Sequence, residues 1–111
     1  MKKRAAKAIR FEASSGNVFA DLGLAGADKL KIKSGLVIEI TRAIRRLGLT
    51  QEEAGRRMGI TQPKVSGMLR GEFANLSERK LMECLTRLGY DIEIKVRPAK
   101  KPLGLLKLAV A

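Results

Sequence analysis

Gln62, Lys64, Ser66 and Arg70 fall within one short run, QPKVSGMLR, with Gln51 and Thr61 a little upstream. Together they offer amides, hydroxyls, an ammonium and a guanidinium, groups that donate hydrogen bonds to phosphate oxygens and to base edges. None of them forms a nucleophile and base pair. The chain has no His and one Cys, Cys84, so a disulfide framework or a common zinc site within one chain is excluded. A catalytic thiol would want a His partner; activation by a Lys or a helix terminus is the lesser alternative to a core role for Cys84. Neither a Gly-rich phosphate loop nor paired carboxylates in a catalytic context is present. The expected chemistry is recognition, with no enzyme activity, no metal and no cofactor.

The elements that must position these side chains lie in residues 49–71, LTQEEAGRRMGITQPKVSGMLRG. Thr50 and Glu53 have the spacing of a capping box, and Leu49 and Ala54 that of a hydrophobic staple, so a helix starts at Thr50. Gly59 ends it, since an immediate stop and restart needs a residue that enters the left-handed region at little cost. Thr61 caps a second helix, and Pro63 falls in its first turn, where the missing N–H removes no intrahelical bond. Helical spacing turns Val65, Met68 and Leu69 inward and leaves Gln62, Pro63, Lys64, Ser66, Gly67 and Arg70 outward. Gly55 lets the two helices cross closely, and Gly71 closes the unit. Two short helices joined by a tight turn, with donors along the outside of the second, make a helix-turn-helix reader of DNA.

The rest of the chain divides around that unit. Residues 1–10 form a basic arm with Lys2, Lys3, Arg4, Lys7 and Arg10, either a solvated tail or an arm that follows phosphates or binds a partner. In 11–25, Ser15 or Asn17 can cap a short helix holding Val18, Phe19 and Leu22, which needs docking to be stable. Residues 26–89 form the DNA-binding domain. Asp28 is read as the cap of its first helix, with Leu30, Val37, Ile40, Ile44 and Leu47 as the inward stripe. Gly35 is unfavourable inside a helix by up to about 1 kcal/mol, so a kink or fraying is expected there. Lys31, Arg42, Arg45 and Arg46 lie on its outer side, facing phosphates or water. Ser77 caps a last helix with Leu76 and Leu81 as staple and Leu81, Leu85 and Leu88 as core. In 90–111, Tyr90, Ile92, Ile94 and Val96 alternate with charged residues, the period of a strand with one buried face. A lone strand cannot satisfy its backbone. Its partner is either the tail, where Leu106, Leu108 and Val110 alternate, or the same strand of a second subunit, which would give a two-fold dimer.

The 111 residues suit one small domain with tails. Lys and Arg number 23 against 11 Asp and Glu, a formal charge of +12 with a pI near 10.5, which favours a polyanionic partner. General binding to RNA or a membrane surface would explain the charge but not the spacing of Gly59, Gln62 and Gly71. No stretch has signal-peptide or membrane-spanning character, so a soluble, cytoplasmic protein is expected.

The order Gln51, Ala54-Gly55, Gly59-Ile60, Gln62, Val65-Ser66, Met68-Leu69 and Gly71 resembles the lambda-repressor-like (Cro/cI, or XRE) family. The wider run, from FEASSGNVFADLGL through TQPKVSGMLRG to GYDIEI, resembles HigA-type antitoxins of bacterial toxin–antitoxin operons over residues 11–98. The resemblance implies a mainly α fold, a lambda-repressor-like helix-turn-helix bundle of about four to five helices, with a C-terminal β-strand or hairpin. It also implies a repressor that binds double-stranded operator DNA and neutralises a toxin, a ribonuclease of the RelE fold; the homodimer is expected because a short helix-turn-helix needs two copies to reach two half-sites. In that likeness Gln51 donates to a phosphate and Gln62 reaches a base edge, while Thr61, Lys64, Ser66 and Arg70 complete the face. Pro63 and Gly67 depart from phage repressors, which often carry polar readers there. Phe11, Val18 and Phe19 are the expected toxin anchors. The alternative is a stand-alone XRE regulator without a toxin.

Overall fold

A hydroxyl and a carboxylate start the central unit as their spacing requires. The Thr50 hydroxyl accepts from the Glu53 N–H at 3.1 Å, and the Glu53 carboxylate accepts from the Thr50 N–H at 2.8 Å. The computed structural model describes residues 26–111 and contains four helices there. These are α1 (Gly26–Leu47), α2 (Gln51–Met58), α3 (Gln62–Leu69) and α4 (Glu78–Arg87). Helix α1 packs mainly on α4, α2 lies against both α3 and α4, and α3 also touches α1. Their shared core holds Ile40, Ala43, Ala54, Met58, Val65, Met68, Leu81 and Cys84.

Ser77 caps α4, its hydroxyl accepting from the Lys80 N–H at 3.0 Å, and the staple residues Leu76 and Leu81 are both buried. Helix α1 departs from expectation in three ways. It begins at Gly26, so Asp28 lies inside the helix rather than at its cap. Its buried stripe is Ile32, Leu36, Val37, Ile40, Ala43 and Ile44, while Leu30 stays 54% exposed and Leu47 37%. Leu30 sits at the edge of the stripe and Leu47 at its end, and burial needs an element opposite as well as the right period. Finally, α1 runs through Gly35 without a break. A Cβ at that position would lie 2.7 Å from Leu108 Cδ2, so Gly35 leaves a notch that receives the C-terminal tail.

That seat explains the missing hairpin. Among the described residues there is no strand: 90–97 form no ladder, and Ile92, Ile94 and Val96 are exposed. The tail that was one possible partner packs on α1 instead, with Leu106 against the core and Leu108 over Gly35. Backbone without a partner cannot make a sheet.

Helices α2 and α3 cross at Gly55, where an added Cβ would lie 2.8 Å from the Ile60 carbonyl oxygen and 3.4 Å from Val65 Cγ2. The neighbour at Gly55 is backbone, whereas at Gly35 it is the tip of a flexible side chain. Gly55→Ala is therefore expected to destabilise by about 1–3 kcal/mol through overpacking. Gly35→Ala is expected to be neutral or mildly stabilising, because helix propensity gains up to about 1 kcal/mol. Urea unfolding of both variants checks this ordering, and equal midpoints would contradict it.

Candidate nucleic-acid interface

The turn that aims α3 is made by backbone. Gly59 adopts a left-handed conformation at φ 77°, and the N–H groups of Gly59 and Ile60 both donate to the Gly55 carbonyl, at 2.8 and 3.0 Å. Only a residue without Cβ enters that region at little cost. Thr61 follows in extended backbone at the N-cap position, but its side chain makes no cap bond, contrary to expectation. The Lys64 and Val65 N–H groups donate instead to the Thr61 carbonyl. Pro63 in the first turn removes one donor that would have lacked an intrahelical partner. Gln62 thereby stands exposed at the start of α3.

Along α3, Val65, Gly67 and Met68 are buried, Ser66 and Leu69 are half-buried, and Gln62, Pro63, Lys64 and Arg70 are exposed with Thr61. Gly67 does not face outward as its spacing predicts. A Cβ there would meet the Glu72 carbonyl at 3.5 Å and Glu72 Oε1 at 3.6 Å, because the chain leaving α3 folds back across it. Arg70 is not an idle cation. Its Nη1 donates to Ser66 Oγ at 2.6 Å and its Nη2 to Glu72 Oε1 at 3.0 Å. Glu72 was missed by the sequence reading; the available signal was an acid two residues after a cationic reader.

Gln51 opens α2 half-buried, directly after the capping box. The Glu53 carboxyl is held below its ordinary range, first by the Thr50 backbone N–H and then by the Thr50 hydroxyl. A groove lined by Thr41, Arg42, Arg45, Leu69, Gly71 and Phe73 places arginines of α1 beside the end of α3. Arg42 pairs with Glu39 at 2.8 Å, while Lys31 lines a separate groove beside the tail. Burial pushes the Cys84 thiol up, away from the thiolate form a nucleophile needs.

The expected dimer residues do not share one environment. Tyr90 is half-buried against its own core, with the Arg46 guanidinium 5.4 Å from its ring centroid, whereas Ile92, Ile94 and Val96 face solvent. Phe11, Val18 and Phe19, with the short helix and the basic arm read from sequence, lie outside the described residues. Among the described residues no group of acidic, His or Cys side chains could hold a metal, and no helix is long and apolar enough to cross a membrane.

Residues 18–97 match the family described as a helix-turn-helix domain. A solved structure described as an XRE family transcriptional regulator is similar at 30% sequence identity and a TM-score of 0.69, covering 78% of this chain and 98% of that one. None of the curated proteins matches.

Proposed function

The chain belongs to the helix-turn-helix domain family as an XRE-type DNA-binding transcriptional regulator rather than an enzyme, and we propose on that premise that it is an operator-binding repressor. The observation that carries this reading is the division of α3, which buries Val65 and Met68 and turns Gln62, Lys64 and Arg70 to solvent immediately after the Gly59 turn. A rigid helix with donors on its outer side suits the major groove, where base edges present distinct acceptor patterns.

In this reading Gln51 donates to a phosphate from the start of α2 and sets the register. Gln62 pairs with an adenine edge, Lys64 reaches phosphate or guanine, and Thr61 and Ser66 border the contact. Arg70 reaches guanine or phosphate once it leaves its own carboxylate partner. Burial of Gly67 and the ring of Pro63 narrow the direct readout, which leaves more of the selectivity to DNA shape. The chain acts as a homodimer through 90–97, where exposed Ile92, Ile94 and Val96 alternate and no strand among the described residues pairs with the segment. Two copies then place their α3 helices on half-sites a helical turn apart.

The finer proposal is the antitoxin role, supported by the resemblance to HigA-type antitoxins over 11–98. Toxins of the RelE fold tend to be basic, so a chain of charge +12 gains no net attraction toward one. Binding would rest on apolar anchors such as Phe11, Val18 and Phe19, or on local acids such as Glu12 and Asp21. The alternative, a stand-alone regulator, needs only the DNA reader.

Gln62→Ala is expected to lose about 1–3 kcal/mol of discrimination between operator and scrambled duplex, and Lys64→Ala to weaken both alike with a salt slope smaller by about 1. Fluorescence anisotropy over a salt series measures both, and an unchanged operator ratio for Gln62→Ala would remove its assigned role. Ile94→Lys is expected to convert a dimer to a monomer in sedimentation equilibrium without loss of helix content; a dimer that persists refutes the strand interface. Co-expression with the product of the adjoining reading frame tests the antitoxin. A small ribonuclease that co-purifies, and is released on deletion of residues 1–25, is the expected result, and none co-purifying favours the stand-alone regulator.

A further inference from the structure

We propose that Glu72 is a specificity-determining residue of this reader: its carboxylate occupies the Arg70 guanidinium in place of a DNA phosphate and releases it only to a better set of acceptors. The inference rests on the reading above, in which α3 enters DNA. Arg70 is held on two sides, by Ser66 Oγ at 2.6 Å and by Glu72 Oε1 at 3.0 Å. A phosphate or the O6/N7 edge of a guanine would take the same forked face of the guanidinium. The carboxylate and the nucleic acid therefore compete for one cation.

Stability does not account for this pair. Both side chains are more than half exposed, and ion pairs so placed contribute little to folding. The pose is nonetheless built into the fold. The Glu72 N–H donates to the Gly67 carbonyl at 2.8 Å, and the Glu72 side chain lies back over Gly67, whose Cβ would meet Glu72 Oε1 at 3.6 Å. Two residues further on, Lys33 of α1 donates to the Ala74 carbonyl at 3.0 Å and ties this loop to the body of the protein. Position 67, which looks in the sequence like a lost base contact, lies under the acid that holds the last cation of the reader helix.

The consequence is a selective penalty. On an arbitrary duplex, an Arg70–phosphate contact replaces an Arg70–carboxylate contact and brings Glu72 close to the phosphates, so little is gained. Where the sequence presents guanine to Arg70, two parallel hydrogen bonds outcompete the single one to Oε1. Glu72 thus weakens binding to random DNA more than binding to the preferred site.

The test uses the full chain and two probes: a duplex recovered by the wild-type protein from a randomised library, and a shuffled duplex of the same composition. Glu72→Gln keeps the size and an acceptor oxygen but removes the charge. It is expected to bind the shuffled duplex about threefold to tenfold more tightly, with a salt slope steeper by about one released counterion. The selected duplex should gain less, so the ratio falls, with the melting temperature unchanged. In an Arg70→Ala background the same substitution should lose most of its effect. An unchanged ratio for Glu72→Gln, or an effect that persists in full without Arg70, overturns the role of Glu72 while the DNA reading stands. Recovery of no duplex by the wild-type chain overturns both.

Discussion

The reader depends on the approach of the Ile60 carbonyl to Gly55. An added Cβ at Gly55 would sit 2.8 Å from that oxygen and 3.6 Å from the Gln62 nitrogen, so any side chain there would push the turn away from α2. The same residue's carbonyl accepts the Gly59 and Ile60 N–H groups. One glycine thus provides both the space and the acceptor that bring α3 across α2, and Val65 closes the contact from the other side. The direction of Gln62 and Lys64 follows from this backbone arrangement, because neither needs a side-chain support of its own. Helices α1 and α4 then fix the pair from behind through Ile40, Leu81 and Cys84, all fully buried.

Many features governed within one helical turn were legible in the sequence, although the Thr61 side chain makes no cap bond and Asp28 lies inside its helix. The Thr50–Glu53 box, the left-handed Gly59 and the Ser77 cap are local, because each satisfies a backbone group a few residues away. Features that depend on what lies opposite were not. Gly35 reads as a helix weakness, yet it seats Leu108 from far along the chain. Gly67 reads as exposed by period alone, and the returning chain at Glu72 covers it. The alternation in 90–97 is real, but period two gives the form of a strand without naming its partner, and the tail has another place to go. For the interface, residue type and spacing identified the exposed donors Gln62, Lys64 and Arg70; that Arg70 was already bonded depends on the return of the chain at Glu72, of which the acid two residues on was the one local sign.

The bonded state of Arg70 bears on how a strongly basic protein can be selective. A charge of +12 attracts any duplex, and attraction to phosphates carries no sequence information. Cations that touch only phosphates raise affinity for every sequence alike. Selectivity requires that binding the wrong sequence forfeit something. Buried polar groups forfeit a hydrogen bond when mismatched, but Arg70 is exposed and water can satisfy it at no great loss. A carboxylate supplied by the same chain changes that comparison, since the guanidinium must leave a charged acceptor before it can take another. The exposed pair between Arg70 and Glu72 is weak as a contribution to folding and consequential as a reference state for binding. The hydrogen bond from the Glu72 N–H to the Gly67 carbonyl, which turns the chain back over α3, connects a backbone detail of that helix to the choice of DNA sequence.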